Sequence, residues 1–186
     1  VMLLAGEPGI GKTTLAQHVA ERAWAQGATV LFGRCDEASV VAFQPFVEAL
    51  GHHVAITTPA ELRRQLGTRA RDLALLVPAL VHQLPELGEI AGTGAETERL
   101  RVFDAVTALV STLADAGPVV LVLDDLHWAD RPTLQLLVHL MRRSEELALL
   151  VVGTYRDTDL VRTHPLTDTL VDLRRANLVD RVPVRG

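Results

Sequence analysis

Apolar residues along this chain fall into two patterns, which are short unbroken runs and stripes at helical spacing. Unbroken runs are typical of parallel strands that are buried on both faces. They predict five strands, over residues 1–5, 28–33, 119–123, 147–153 and 178–184. Helical stripes separate these runs, and strands that alternate with helices favour a parallel sheet covered on both faces. The pattern therefore predicts an α/β fold.

The stripes predict where the helices lie. A first helix is expected from Thr14 to about Gln26, because Gly27 suits a left-handed cap. A short helix is expected from Pro45, with Gly51 closing it. Three more are expected over residues 98–116, after Asp130 and around residues 166–173. The apolar stripe expected to be buried in the first of these three consists of Leu100, Phe103, Val106, Val110 and Leu113.

The middle of the chain is less regular. Residues 57–88 look helical in pieces, because Pro78 interrupts the stripe. Residues 89–97 are polar and rich in Gly, and they predict a loop. We expect one domain over residues 1–186, with a helical insertion at about 43–97. The start at Val1, already inside a predicted strand, suggests that this domain is a fragment of a longer multidomain protein.

A glycine-rich segment lies between the first predicted strand and the first predicted helix. Residues 6–13 read GEPGIGKT, which matches the phosphate-loop pattern G-x-x-x-x-G-K-[ST]. Such a loop turns its backbone N–H groups towards phosphate oxygens, and the helix that follows presents its positive end to them. Lys12 is expected to reach the β- and γ-phosphates, and the Thr13 hydroxyl to ligate Mg²⁺. The predicted nucleotide-binding residues are Gly6, Glu7, Pro8, Gly9, Ile10, Gly11, Lys12, Thr13 and Thr14.

Charged residues follow two other predicted strands at their carboxyl ends, where ligands bind in open α/β sheets. Asp124 is expected to hold Mg²⁺ opposite Thr13, and Asp125 to orient or deprotonate the attacking water. Arg156 follows the next strand, where a guanidinium suits the γ-phosphate. The predicted catalytic residues are therefore Asp125, Lys12 and Arg156, and the predicted metal ligands are Thr13 and Asp124. A surface ion pair of Arg156 with Asp157 or Asp159 remains the alternative for that arginine.

Composition narrows the classes of partner. The 186 residues are 48% hydrophobic and carry a net charge of -5, and Lys12 is the only lysine. An acidic balance argues against direct binding of nucleic acid, which needs clustered Lys and Arg. Cys35 is the only cysteine, so no internal disulfide is expected and the cytoplasm is the expected compartment. No apolar stretch approaches the roughly 20 residues of a membrane span, and no membrane contact is expected.

Four stretches carry a resemblance to a known family. The most specific is residues 123–130, LDDLHWAD, followed at residues 153–157 by GTYRD. Residues 98–106, ERLRVFDAV, and residues 43–46, FQPF, also match. Together they resemble the STAND ATPases, which are related to the AAA+ proteins. The chain is most similar to the ATPase modules of large bacterial LuxR-type transcriptional regulators.

This resemblance implies a three-layer P-loop NTPase fold of the additional-strand (ASCE) type, with sheet order 5-1-4-3-2. It implies binding of ATP or ADP with Mg²⁺, slow hydrolysis and a role as a nucleotide-dependent switch in signalling or transcription. Arg156 matches the sensor arginine of such families. The implied partners are the nucleotide and other domains of the same chain, with self-association of the ATP-bound form left open.

Three other functions compete with that of a switch ATPase. A GTPase would need an Asn-Lys-x-Asp guanine reader, but the only asparagine is Asn177, which Leu178 follows. A small-molecule kinase would usually show an Arg-rich lid, whereas the arginines here are scattered. A non-catalytic module that binds ATP or ADP to control conformation and partner contacts stays open, because the sequence does not separate it from a slow ATPase.

Overall fold

Five parallel strands form one sheet at the centre of the molecule. The computed structural model describes residues 1–38, 41–90, 92, 96–143, 146–160 and 163–185. The strands are β1 (Met2–Ala5), β2 (Thr29–Arg34), β3 (Val119–Asp124), β4 (Leu149–Tyr155) and β5 (Asp180–Pro183). Their order across the sheet is β2-β3-β4-β1-β5, and all four pairings are parallel. The predicted α/β class and the order 5-1-4-3-2, read from the other edge, are confirmed.

Eight α-helices connect and cover these strands in the described part of the chain. They are α1 (Lys12–Ala25), α2 (Gln44–Ile56), α3 (Pro59–Leu66), α4 (Ala70–Ala74), α5 (Leu80–Gln83), α6 (Glu96–Ala116), α7 (Arg131–Arg142) and α8 (Pro165–Arg175). Short 3₁₀ turns lie at Gly67–Arg69, Pro85–Leu87 and Leu126–Trp128. None of the described helices is long and apolar enough to cross a membrane.

The two faces of the sheet bury different side chains, because successive residues of a strand point to opposite faces. On one face Leu4, Val120, Val122 and Val152 pack with α1. The other face contributes to the larger core with residues of α2 through α8, among them Leu3, Leu121, Leu123, Phe46, Val106 and Leu137. The sheet is thus covered on both faces, as the unbroken apolar strands predicted.

Burial in α1 falls on small residues, and burial in α6 differs from the expectation at one position. The side of α1 that meets the sheet consists of Ala16 and Ala20, whereas Leu15 is 40% exposed. Small residues allow a helix to approach a sheet closely, so the alanines take the buried positions. In α6 the buried stripe begins at Val102 and Phe103, and Leu100 at its start is 49% exposed. The predicted burial of Leu100 was wrong.

The expected end of α2 at Gly51 was also wrong, because the helix continues to Ile56. Buried Val54 extends the apolar face that begins with Phe46 and Leu50, and packing of that face outweighs the helix-weakening effect of one glycine. Other boundaries shift by at most two residues. Pro78 separates α4 from α5 as expected. The predicted loop at 89–97 ends where α6 begins at Glu96, and residues 91 and 93–95 within it lie outside the described residues.

The start of α2 lies directly against the end of β2. A β-carbon at Gly33 would lie 1.7 Å from the Pro45 carbonyl oxygen, so only glycine allows this approach. The contact fixes the carboxyl end of β2, which matters for the site because Arg34 follows Gly33.

Candidate functional site

The predicted site residues lie at the edge of the sheet where β1, β2, β3 and β4 have their carboxyl ends. β1 leads into residues 6–11 and then α1, while β3 ends at Asp124 and β4 at Tyr155. The register pairs Ala5 with Tyr155, and Arg34 at the end of β2 with Asp124. Lys12, Thr13, Asp124 and Asp125 therefore lie at the carboxyl edge of the sheet.

The glycine-rich loop has the backbone conformation that its sequence requires. Gly9 and Gly11 have φ angles of 77° and 97°, in the left-handed region where glycine is favoured. Gly11 is the residue before the first turn of α1, so the loop delivers the chain directly into the helix N-terminus. Thr14 lies exposed in that first turn. This arrangement presents backbone N–H groups and the positive end of the helix to the same space.

Lys12 lies over its own loop. Its Nζ atom donates to the carbonyl oxygens of Gly6 at 3.0 Å and Glu7 at 2.8 Å, and the residue is only 6% exposed. A buried ammonium needs such partners. These contacts hold the positive charge at the mouth of the loop, where phosphate oxygens can replace the carbonyls as acceptors.

Asp124 is fully buried between two hydroxyl groups. The Thr13 Oγ1 atom lies 3.0 and 3.1 Å from the two Asp124 carboxylate oxygens, and Thr154 Oγ1 donates to Oδ1 at 2.6 Å. A hydroxyl from the loop and a carboxylate from β3 thus form a set of oxygen donors, the type that Mg²⁺ prefers. Mg²⁺ usually takes one or two protein oxygens in addition to water and phosphate, so Thr13 and Asp124 fit this ion.

Asp125 has a left-handed backbone, with φ 57° and ψ 44°. Its N–H donates to Thr154 Oγ1 at 2.9 Å. Its Oδ2 atom accepts from both Nη2 and Nε of Arg34, at 2.8 and 3.2 Å. This hydrogen bond, together with the charge of Asp125, raises the pKa of Arg34 above its usual value.

Arg34 was not predicted as a site residue. Asp36 and Glu37, which follow β2 a little further along the chain, are both exposed. Asp36 stabilises a turn, since its Oδ1 accepts from the Ala38 N–H at 3.0 Å and its own N–H donates to Gln44. The feature that could have indicated Arg34 is its position at the end of β2, because β2 lies next to β3 in the sheet.

His127 is a second site residue that sequence reasoning missed. Its side chain is completely buried, with Nδ1 3.8 Å from Asp125 and Nε2 3.8 Å from Asp159. Neither ring nitrogen has a hydrogen-bond partner within the described ranges. Burial lowers its pKa, the charges of Arg156 and Lys12 lower it further, and those of Asp125 and Asp159 oppose the shift.

Arg156 follows β4, which pairs with β1 as expected. Its Nη1 atom lies 3.6 Å from Asp159 Oδ2, so the ion pair weighed as the alternative is present. The charge of Arg156 also lowers the pKa of His127, as that of Lys12 does. The role of Arg156 towards a phosphate therefore stays a prediction.

The family model of the AAA ATPase domain matches residues 1–152. This chain belongs to the AAA ATPase domain family. The matched residues include the glycine-rich loop, Asp124 and Asp125, whereas Arg156 and β5 lie beyond them. Membership of this family implies nucleotide binding and hydrolysis.

Comparison with solved structures finds matches at low identity. The structure of C. elegans PCH-2 is 16% identical with a TM-score of 0.45, and the match covers 100% of this chain and 35% of that one. The bacterial conjugative coupling protein TrwBdeltaN70, in an unbound form, is 13% identical with a TM-score of 0.41, covering 94% and 66%. TrwB in complex with the non-hydrolysable GTP analogue GDPNP is 12% identical with a TM-score of 0.38, covering 95% and 67%. No curated protein matches the chain.

Proposed function

We propose that this AAA ATPase domain binds ATP with Mg²⁺ at the glycine-rich loop and hydrolyses it slowly. The observation that carries the proposal is the contact of Thr13 with both carboxylate oxygens of Asp124, at 3.0 and 3.1 Å. These two residues are far apart in the sequence. Their contact joins the end of a phosphate loop to a buried carboxylate, which is the combination that a bound nucleotide and its metal require.

Each residue of the site has a proposed role. The loop N–H groups and Lys12 would bind the phosphates, and Thr13 and Asp124 would hold Mg²⁺. The metal ion would neutralise charge on the phosphate oxygens. Asp125 orients the attacking water and accepts its proton at a carboxylate oxygen. Arg156 exchanges Asp159 for the terminal phosphate, which only ATP offers.

A cavity of about 780 Å³ beside the loop suits the nucleoside part of the ligand. Gly6, Glu7 and Ile10 line it on the loop side, and Val184 and Arg185 on the side of β5. Both apolar and charged residues line the cavity, and Arg174 and Arg181 add positive charge. We propose that the base and ribose lie here, since the cavity opens directly from the loop.

Two substitutions test the division of roles between the acidic residues. Asp125→Asn is expected to lower single-turnover hydrolysis while ATP affinity stays nearly unchanged, because the amide cannot accept the proton of water. Asp124→Asn is expected to weaken the Mg²⁺ dependence of ATP binding. Calorimetric titrations with and without Mg²⁺, together with rapid-quench turnover, measure both effects. If both variants lose ATP binding equally, the division of roles is wrong.

We further propose that the domain acts as a switch in a signalling or transcriptional regulator of the LuxR type. The support is the LDDLHWAD stretch at residues 123–130 and the position of Arg156. A group that binds ATP but not ADP biases a two-state equilibrium by its differential binding free energy. Arg156→Ala should weaken ATP binding about tenfold or more relative to ADP binding. Equal losses for the two nucleotides would reject this role.

A non-catalytic module is the alternative, and the ion pair between Arg34 and Asp125 favours it, because it occupies the carboxylate that hydrolysis needs. Single-turnover hydrolysis by the longest available chain separates the two functions.

Other domains of the same chain are the proposed partners, in the cytoplasm. No direct contact with nucleic acid is proposed, since the net charge is -5. A sequence-specific mobility shift with duplex DNA at physiological salt would contradict that point.

A further inference from the structure

We infer that Thr154 is a positioning residue that sets the geometry of Asp124 and Asp125 relative to each other. The inference rests on the proposed ATP–Mg²⁺ function and assigns a role to a residue of β4 outside the motif that carries the two carboxylates. Thr154 is completely buried, at 0% exposure, in the strand that lies between β1 and β3. It pairs in register with Leu4 of β1, just before the glycine-rich loop.

The Thr154 hydroxyl donates one hydrogen bond and accepts another. It donates its proton to Asp124 Oδ1 at 2.6 Å, and its oxygen accepts the Asp125 N–H at 2.9 Å. One atom thereby connects the side chain of the first acidic residue to the backbone of the second. The short donor distance is typical of a hydroxyl that donates to an ionised carboxylate.

Only a hydroxyl fits this arrangement. Serine and threonine supply one donor and two acceptor positions on a single atom, which valine and alanine lack. Without the hydroxyl, Asp124 Oδ1 loses a buried donor and the Asp125 N–H loses its acceptor. An unpaired buried group of either kind is unfavourable, so the carboxylate would rotate or the turn at Asp125 would relax.

The turn at Asp125 shows why this matters for the site. A left-handed backbone is uncommon outside glycine and needs support from its surroundings. Thr154 gives that support at the N–H of Asp125, while Arg34 contacts its carboxylate. Thr13 contacts the same Asp124 carboxylate that Thr154 orients. Thr154 therefore fixes both the proposed metal ligand and the proposed water-orienting residue.

The test compares variants with and without the hydroxyl. Thr154→Val removes it at nearly constant volume, Thr154→Ala removes it without placing a methyl group beside the carboxylate, and Thr154→Ser keeps it. Thr107→Val is the matched control, because Thr107 is also a buried threonine, and its hydroxyl donates to the Phe103 carbonyl at 2.9 Å in α6. All variants are first checked for cooperative unfolding.

Two readouts distinguish positioning from a general loss of stability. The first is hydrogen–deuterium exchange of the Asp125 amide without nucleotide, which should lose protection in Thr154→Val and Thr154→Ala only. The second is the response to nucleotide, measured both as the Mg²⁺ concentration for half-maximal ATP binding and as the kcat for ATP. We expect this concentration to rise, and kcat to fall, by about tenfold or more without the hydroxyl. Thr154→Ser should stay within about threefold of wild type in both.

The outcomes separate this inference from the proposed function. A wild-type chain that does not bind ATP–Mg²⁺ overturns the proposed function and this assignment with it. A wild-type chain that binds, with Thr154→Val or Thr154→Ala matching Thr107→Val in exchange and in Mg²⁺ dependence, overturns the assignment alone. If Thr154→Val does not fold, Thr154→Ala decides, and a Thr154→Ser variant as impaired as Thr154→Ala also overturns the role of the hydroxyl.

Discussion

Replacing Arg34 should raise the turnover of ATP, because this arginine holds the carboxylate that we propose orients the attacking water. Two of its nitrogen atoms contact the same Asp125 oxygen, at 2.8 and 3.2 Å. The Asp125 side chain is 10% exposed, but that of Arg34 is 60% exposed, so water and salt weaken the pair. A pair of this kind contributes about 0.5–1 kcal/mol. If Asp125 must leave Arg34 before it orients water, the same free energy opposes catalysis.

Arg34→Gln is therefore expected to raise kcat by at most about fivefold in a single-turnover assay. Arg34→Lys should give a smaller increase, because it keeps the charge without the planar fork. Arg63→Gln is the matched control, since Arg63 forms an exposed pair with Glu86 at 2.6 Å outside the site. A kcat that falls tenfold in Arg34→Gln would show that Arg34 assists the reaction, and an unchanged kcat would show that the pair does not restrain Asp125.

Three further predictions concern stability and reactivity. Asp130 caps α7 by accepting the Thr133 N–H at 2.8 Å, so Asp130→Ala should lower the free energy of unfolding by about 1 kcal/mol in urea titrations. Burial lowers the pKa of His127 in the folded state below its ordinary 6.5, so the unfolded chain binds a proton first and stability should fall as pH drops below that value. This loss of stability at low pH should be smaller in His127→Gln. In the control His82→Gln, at an exposed histidine, it should equal that of the wild type. Burial raises the pKa of the Cys35 thiol to about 12, so this thiol should resist alkylation at mildly alkaline pH until the chain unfolds; rapid alkylation of the folded protein would contradict this.

The parts of the site that a local motif encodes could be predicted from the sequence. The glycine-rich loop, Lys12 and Thr13 follow one another directly, and Asp124 follows an unbroken apolar strand. The carboxyl ends of parallel strands share one edge of the sheet, which leads to the expectation that Asp124 lies opposite Thr13. The fold class was predictable for a similar reason, since buried parallel strands need apolar residues at every position.

Residues whose role depends on pairing between strands were not predictable from the sequence. Arg34 contacts Asp125 only because β2 and β3 are neighbours with Arg34 opposite Asp124 in register. Thr154 lies just after the predicted strand 147–153, and its hydrogen bonds depend on the position of β4 beside β3. His127 lies in a motif that was recognised, but its burial between Asp125 and Asp159 required the fold.

Errors in the helices have a related cause. The periodicity of apolar residues gives the face of a helix, but neighbouring elements decide how much of that face is covered. Leu100 continues the stripe of α6 and is still 49% exposed, because it lies in the first turns of that helix. The low helix propensity of Gly51 predicts a helix end, but the packing of α2 overrides that propensity.

Calorimetric titration of ATP in the presence and absence of Mg²⁺, on the wild-type chain and on Lys12→Ala, tests the central claim most directly. Lys12 is the only lysine, it lies at the mouth of the loop, and its ammonium is expected to exchange two carbonyl oxygens for phosphate oxygens. The account predicts Mg²⁺-dependent binding by the wild type and a loss of affinity of about a hundredfold in Lys12→Ala. Equal affinities for the two proteins, or binding that is indifferent to Mg²⁺, would contradict it.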